Sequence, residues 1–165
     1  EPAPSTRPPG VDGPTLIGWR EWVAFPEWGV GAVKAKIDTG ARTSALHAYD
    51  VEEFERDGLR WVRFVVHPWQ RNDDDAQVVE AQLVDQRHVT SSSGAKSLRP
   101  VVRAVIDLAD APHEIEITLT RRDEMGFRML LGRKSMAGRY VIDPSLSYVT
   151  GRPERSIRRR NRGRS

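Results

Sequence analysis

Apolar and polar residues alternate along most of this chain in short runs separated by turns bearing glycine, proline or aspartate, a pattern that predicts strands. Trp19 to Phe25 can alternate faces, and Pro26-Glu27-Trp28-Gly29 turns the chain into a second run, Val30 to Ile37. Arg60 to Val66 follows Asp57-Gly58, the dipeptide that favours a tight hairpin. A polar loop, Gln70 to Gln77, precedes Val78 to Thr90, and the small polar tip Ser91 to Ser97 precedes Leu98 to Leu108. After a turn at Ala109-Asp110-Ala111-Pro112 come Glu114 to Thr120 and then Leu130-Leu131-Gly132. One short helix is predicted from Gly132 to Ala137, with Tyr140-Val141-Ile142 as a closing strand. The fold class expected is mainly β.

The chemistry concentrates in Lys36-Ile37-Asp38-Thr39-Gly40-Ala41, where a strand delivers one carboxyl group into a tight turn. Asp38 can act as a general base toward water, the Thr39 hydroxyl can lock the loop, and Gly40 lets another backbone or a substrate come close. The run Ala41 to Ala48 follows, and Leu130-Leu131-Gly132-Arg133 lies far downstream. Together these segments resemble the retropepsin-like aspartic peptidases. A closer resemblance, over about Leu16 to Gly151, is to a bacterial branch often labelled ATP-dependent zinc protease and found beside or fused to ATP-grasp glutamate ligases of the RimK type. It rests on Ile17 to Val23, Lys36 to Ala48, Trp61 to Phe64 with His67-Pro68, Leu130 to Arg133, and Asp143-Pro144.

The resemblance implies an acid-protease barrel with one half-site per chain, in which the apolar-apolar-Gly segment passes beside the acid loop. Asp38, Thr39 and Gly40 are then the catalytic set. Ala41, Arg42, Ser93, Gly94, Lys96 and Arg133 are the candidate substrate contacts. Ser91 to Ser97 is the favoured flap, which makes the Asp57-Gly58 hairpin an insertion. Arg42 can grip a substrate carboxylate bidentately or form an internal ion pair with Asp143 or Glu21.

At 165 residues the chain has room for one domain, expected over residues 15–151. It holds a single Asp-Thr-Gly and no internal repeat, so a second carboxylate must come from elsewhere. A two-fold homodimer that presents Asp38 and its symmetry copy is the economical solution. The alternative is a monomer whose dyad forms only within a complex.

Charge divides the chain unevenly. Residues 151–165 hold seven Arg against Glu154, whereas residues 1–150 carry 19 basic and 22 acidic side chains. The tail, residues 152–165, reads as a disordered segment that can contact a ribosome, RNA or acidic protein. Residues 1–14, rich in Pro and Gly, read as a linker or expression remnant. No segment is long and apolar enough to span a membrane and no signal-peptide core is visible, although a chain that does not begin with Met leaves a removed leader open. With no Cys the chemistry is not thiolate-based, and a cytoplasmic location is expected. Neither a His-Glu-x-x-His pair nor a glycine-rich phosphate loop is present, so no metal and no cofactor are expected.

The function implied is an aspartic peptidase, a hydrolase that trims glutamate tails added to a ribosomal or other protein by a partner glutamate ligase. The alternative is a non-catalytic adaptor of the same fold that binds and regulates the ligase or ribosome.

Overall fold

Side chains that alternate in sequence alternate between core and solvent in space, and this fixes the barrel. A computed structural model describes residues 14–69, 75–90, 93–120 and 126–163. The expected leading linker, apart from Pro14, lies outside the described residues, as do Ser91 and Ser92 of the hairpin tip and most of the polar loop after Trp69.

The strands are β1 (Thr15–Ile17), β2 (Arg20–Phe25), β3 (Val30–Ile37), β4 (Ser44–His47), β5 (Tyr49–Arg56) and β6 (Leu59–Val66). They continue as β7 (Gln77–Thr90), β8 (Lys96–Leu108), β9 (Ala111–Thr120), β10 (Met129–Leu131) and β11 (Tyr140–Ile142). In β2, Val23 and Phe25 point inward while Arg20, Trp22 and Ala24 are only partly covered. The same two-residue rhythm buries Val62, Phe64 and Val66 of β6 and Ala104, Ile106 and Leu108 of β8. Each large apolar side chain fully buried in this way contributes about 1.5–3 kcal/mol.

The sheet runs β2-β3-β10-β4-β9-β8, and a further pairing of Ala24 in β2 with Asp107 in β8 closes these six strands into a barrel. Strands β7, β6 and β5 continue the sheet outward from β8. Phe25 stacks on Trp28 at 4.9 Å, and Trp28 meets the Phe64 ring edge-on at 5.4 Å, which joins the barrel core to this extension. The Asp57-Gly58 hairpin forms as expected, with both residues at positive φ (52° and 78°).

The expected short helix is α1 (Arg133–Met136). A second helix, α2 (Arg155–Asn161), occupies part of the tail that the sequence suggested would lack order. Ile157 is partly covered, and Asn161, four residues on, is buried, so one helical face is shielded. The closing strand β11 pairs in parallel with β1, placing Leu16 opposite Val141.

Candidate active site

Strand β3 ends at Ile37, and the main chain is pinned on both sides where it enters the loop. The Ile37 N–H donates to the Trp19 carbonyl at 2.8 Å, and the Asp38 N–H donates to the Leu131 carbonyl at 2.9 Å. Because β10 runs parallel to β3 with Leu131 opposite Ile37, the Leu-Leu-Gly segment ends level with the acid. Gly132 is required there by space, since a Cβ would stand 2.5–2.9 Å from the backbone O, C and N of Thr43. Its N–H donates to the Ser44 hydroxyl at 3.0 Å, and Ser44 shares a 2.7 Å bond with the Ser135 hydroxyl. As α1 begins, Arg133 and Lys134 donate their N–H groups to the Ala41 and Arg42 carbonyls at 2.8 and 2.9 Å.

Within the loop Asp38 is half-buried and its Oδ1 accepts the Gly40 N–H at 2.9 Å. The Arg133 guanidinium donates to the Thr39 carbonyl at 2.9 Å. Thr39 and Gly40 are exposed at the loop tip. The hydroxyl of Thr39, expected to lock the loop, makes no hydrogen bond among the described residues. Within one chain the Gly40 N–H and Arg133 hold the loop.

The structure gathers Asp38, Thr39, Gly40, Ala41, Arg42 and Arg133 around one loop. Ser93, Gly94 and Lys96 form a second group, exposed at the tip of the long β7–β8 hairpin, where Lys96 pairs with Thr90. Arg42 is exposed and forms neither of the ion pairs considered for it. Both candidate partners are satisfied elsewhere. Asp143 accepts the N–H and hydroxyl of Ser145, which hold its carboxyl below the usual carboxylate range. Glu21 is fully buried and accepts from the N–H groups of Gly18, Val149 and Thr150 and from the Thr150 hydroxyl, at 2.7–3.1 Å.

Two contributors escaped the sequence reading, Ser44 and Ser135, and Glu21, considered there only as a partner for Arg42, proves to be a backbone clamp. A hydroxyl run after Gly40 was visible, but its partner Ser135 lies 91 residues away. Among the described residues no three His, Cys, Asp or Glu side chains converge as a metal site, so the donor set does not fit a zinc centre.

A half-buried carboxyl at the end of a barrel strand, level with a parallel Leu-Leu-Gly segment that opens a helix, is the arrangement of an acid-protease half-site. The sequence profile of the RimB-like family, described as retropepsin-like aspartic endopeptidase RimB, matches residues 16–153. The chain belongs to this family.

RimB-like segments also occur in longer proteins. The chain is 45% identical over 140 residues to a probable alpha-L-glutamate ligase of Shewanella pealeana, covering 85% of this chain and 31% of that protein. A probable alpha-L-glutamate ligase of Desulfotalea psychrophila is 46% identical over 138 residues, covering 82% of this chain and 29% of that protein. The chain thus spans less than a third of the length of these relatives. Among solved structures, a Legionella pneumophila protein of unknown function superposes with a TM-score of 0.69 at 29% identity, over 82% of this chain and 97% of that one. Among the described residues no helix is long and apolar enough to cross a membrane.

Proposed function

We propose that this chain is one half of an aspartic endopeptidase that works as a homodimer and cleaves peptide bonds in acidic, glutamate-bearing protein segments. The observation that carries the reading is the Asp38 loop itself, one carboxyl per chain clamped between β3 and the Leu131-Gly132 corner. Two such carboxyls across a two-fold axis share one proton, because like charges at hydrogen-bonding distance cannot both ionise readily. The charged member takes a proton from water as it attacks the scissile carbonyl. The protonated member donates to the carbonyl oxygen, and no covalent intermediate forms.

The exposed Thr39 and Gly40 at the loop tip leave room for a second copy of the loop. The β1–β11 ladder carries Leu16 and Val141 opposite one another at 42% and 50% exposure, an apolar strip suited to a seam between copies. Light scattering across a concentration series should report a dimer that Val141→Lys dissociates. A wild-type monomer at every concentration would send the dyad to a mixed complex.

The acidic substrate is supported by the exposed guanidinium of Arg42 next to the loop, by the Arg-rich tail as a contact for a ribosome, and by the glutamate ligase names of the relatives. A partner ligase would add the glutamates that this chain removes, in the cytoplasm. The test is to incubate the protein with a peptide ending in several glutamates and follow its intact mass, with Asp38→Asn as control. Loss of glutamate units by the wild type alone is expected. No shortening by a folded, dimeric wild type would sink the peptidase reading for this substrate.

The presence of this segment inside proteins named as ligases favours one second reading, a non-catalytic adaptor that regulates the ligase. In that case truncation after Gly151 weakens ligase or ribosome binding while Asp38→Asn changes nothing.

A further inference from the structure

A cleft of about 350 Å³ opens on the barrel wall behind the acid loop, between the start of β4, the first half of β9 and α1. Its floor is the Ser44–Ser135 hydroxyl pair, the same pair that holds the Gly132 N–H, so the cleft and the Asp38 loop share a wall. Lys134, whose N–H grips the Arg42 carbonyl, is on its rim.

Four cations line this cleft: Arg87, Arg103, Lys134 and Arg139. Arg87 is matched by Glu116 at 3.3 Å and Arg103 by Glu114 at 3.4 Å. Lys134 and Arg139 have no carboxylate partner among the described residues, which leaves the cleft an excess of two positive charges. His113, only 8% exposed, also lines it, with Nδ1 3.4 Å from the Ala111 carbonyl. The cleft is walled mainly by charged and hydroxyl-bearing side chains and suits an anionic guest.

We propose that this cleft is an exosite for carboxylates of the acidic substrate segment, held by Lys134 and Arg139 on the far side of the wall that supports Asp38. The proposal rests on the acidic-substrate reading above and adds to it a second point of attachment. An extended peptide anchored here meets the acid loop by following residues 41–43 around the barrel end. Chain anchored at two points is aligned in register, so short acidic peptides gain less than long ones.

The test uses Asp38→Asn protein, so that bound peptide stays intact, with fluorescein-labelled hexaglutamate and hexaglutamine as probes at low ionic strength. Hexaglutamate should bind more tightly than hexaglutamine, and Lys134→Gln with Arg139→Gln should weaken it about tenfold, the loss of two exposed charge contacts. The Lys134→Arg, Arg139→Lys pair should restore it. If the preference for glutamate persists undiminished in the Gln pair, the exosite is refuted while the acidic-substrate reading stands. If the two peptides bind Asp38→Asn alike, that reading fails and the exosite with it. Should the Gln pair misfold, the imidazole NMR signal of His113 in Asp38→Asn protein decides: it shifts on hexaglutamate addition if the cleft is occupied, and its invariance at saturation overturns the proposal.

Discussion

Replacing Glu21 with glutamine keeps the shape of a buried side chain and removes one of its acceptor oxygens. Oε2 accepts the N–H groups of Gly18 and Val149 at 2.7 and 3.0 Å, and Oε1 accepts the N–H and hydroxyl of Thr150 at 3.1 and 2.9 Å. The new amide NH2 must face one of these pairs. Turned toward Oε2 it confronts two backbone donors that cannot reverse. Turned toward Oε1 it confronts one, because the Thr150 hydroxyl can rotate and accept. The lower-cost orientation leaves one buried N–H unsatisfied at about 1–3 kcal/mol and removes charge assistance from the remaining bonds, a loss of about 1 kcal/mol more. Glu21→Gln should therefore lose about 2–4 kcal/mol in urea unfolding. Glu21→Ala strands all four donors, a loss that approaches the whole stability of a domain this size. Amide exchange at Val149 and Thr150 should speed up selectively in the glutamine variant. A stability change under about 0.5 kcal/mol, the range of ordinary surface substitutions, with unaltered exchange would refute the claim that this carboxyl clamps residues 148–150 to β2.

Gly132→Ala should cost about 3 kcal/mol, because the added methyl meets backbone atoms of Thr43 that cannot rotate away, and denaturant midpoints will measure it. Burial holds the His113 imidazole below its ordinary 6.5, partly offset by the carbonyls of Ala111 and Ser135 and helped by the Arg139 charge. The unfolded chain then takes up the proton first as the medium turns acidic. The His113 contribution is present above about pH 6.5 and is lost as pH falls through the lower folded value, so the drop in unfolding free energy between pH 7.5 and 5 should shrink in His113→Gln. Burial pushes the Tyr140 phenol up to about 12. Its stability contribution is full below pH 10 and fades as pH rises toward 12, and ultraviolet titration should show its tyrosinate appearing late, a signal missing in Tyr140→Phe.

Legibility in the sequence followed the range of the interaction. The Asp57-Gly58 hairpin depends on neighbours within a few positions, while the Asp38 loop and the helix after Gly132 stand where residue types suggested although contacts as much as 94 residues apart also hold them. The barrel closure rests on the pairing of Ala24 with Asp107, which no periodicity announces. Glu21 enters the sequence reading only as an ion-pair partner for Arg42, yet the strand alternation turns it inward with Val23 and Phe25, to meet donors 128 and 129 residues away. Arg42 could be denied those partners only by knowing that Glu21 and Asp143 are satisfied elsewhere. Strand β5 has no buried residue to mark it, so in the sequence only the hairpin turn points to it. In α2, Asn161 is buried although its residue type suggests solvent, which the Arg-rich run does not announce.

Parallel pairing of β1 with β11 brings Thr15 beside Tyr140, and the chain then returns through Leu146 and Tyr148 to bond the Gly18-to-Arg20 corner. The domain is therefore threaded like a bead whose two strings leave at one edge, the edge that also carries the Trp19 carbonyl under the acid loop. A neighbour spliced to either string is leashed next to the carboxyl at an effective concentration on the order of millimolar for a short flexible linker.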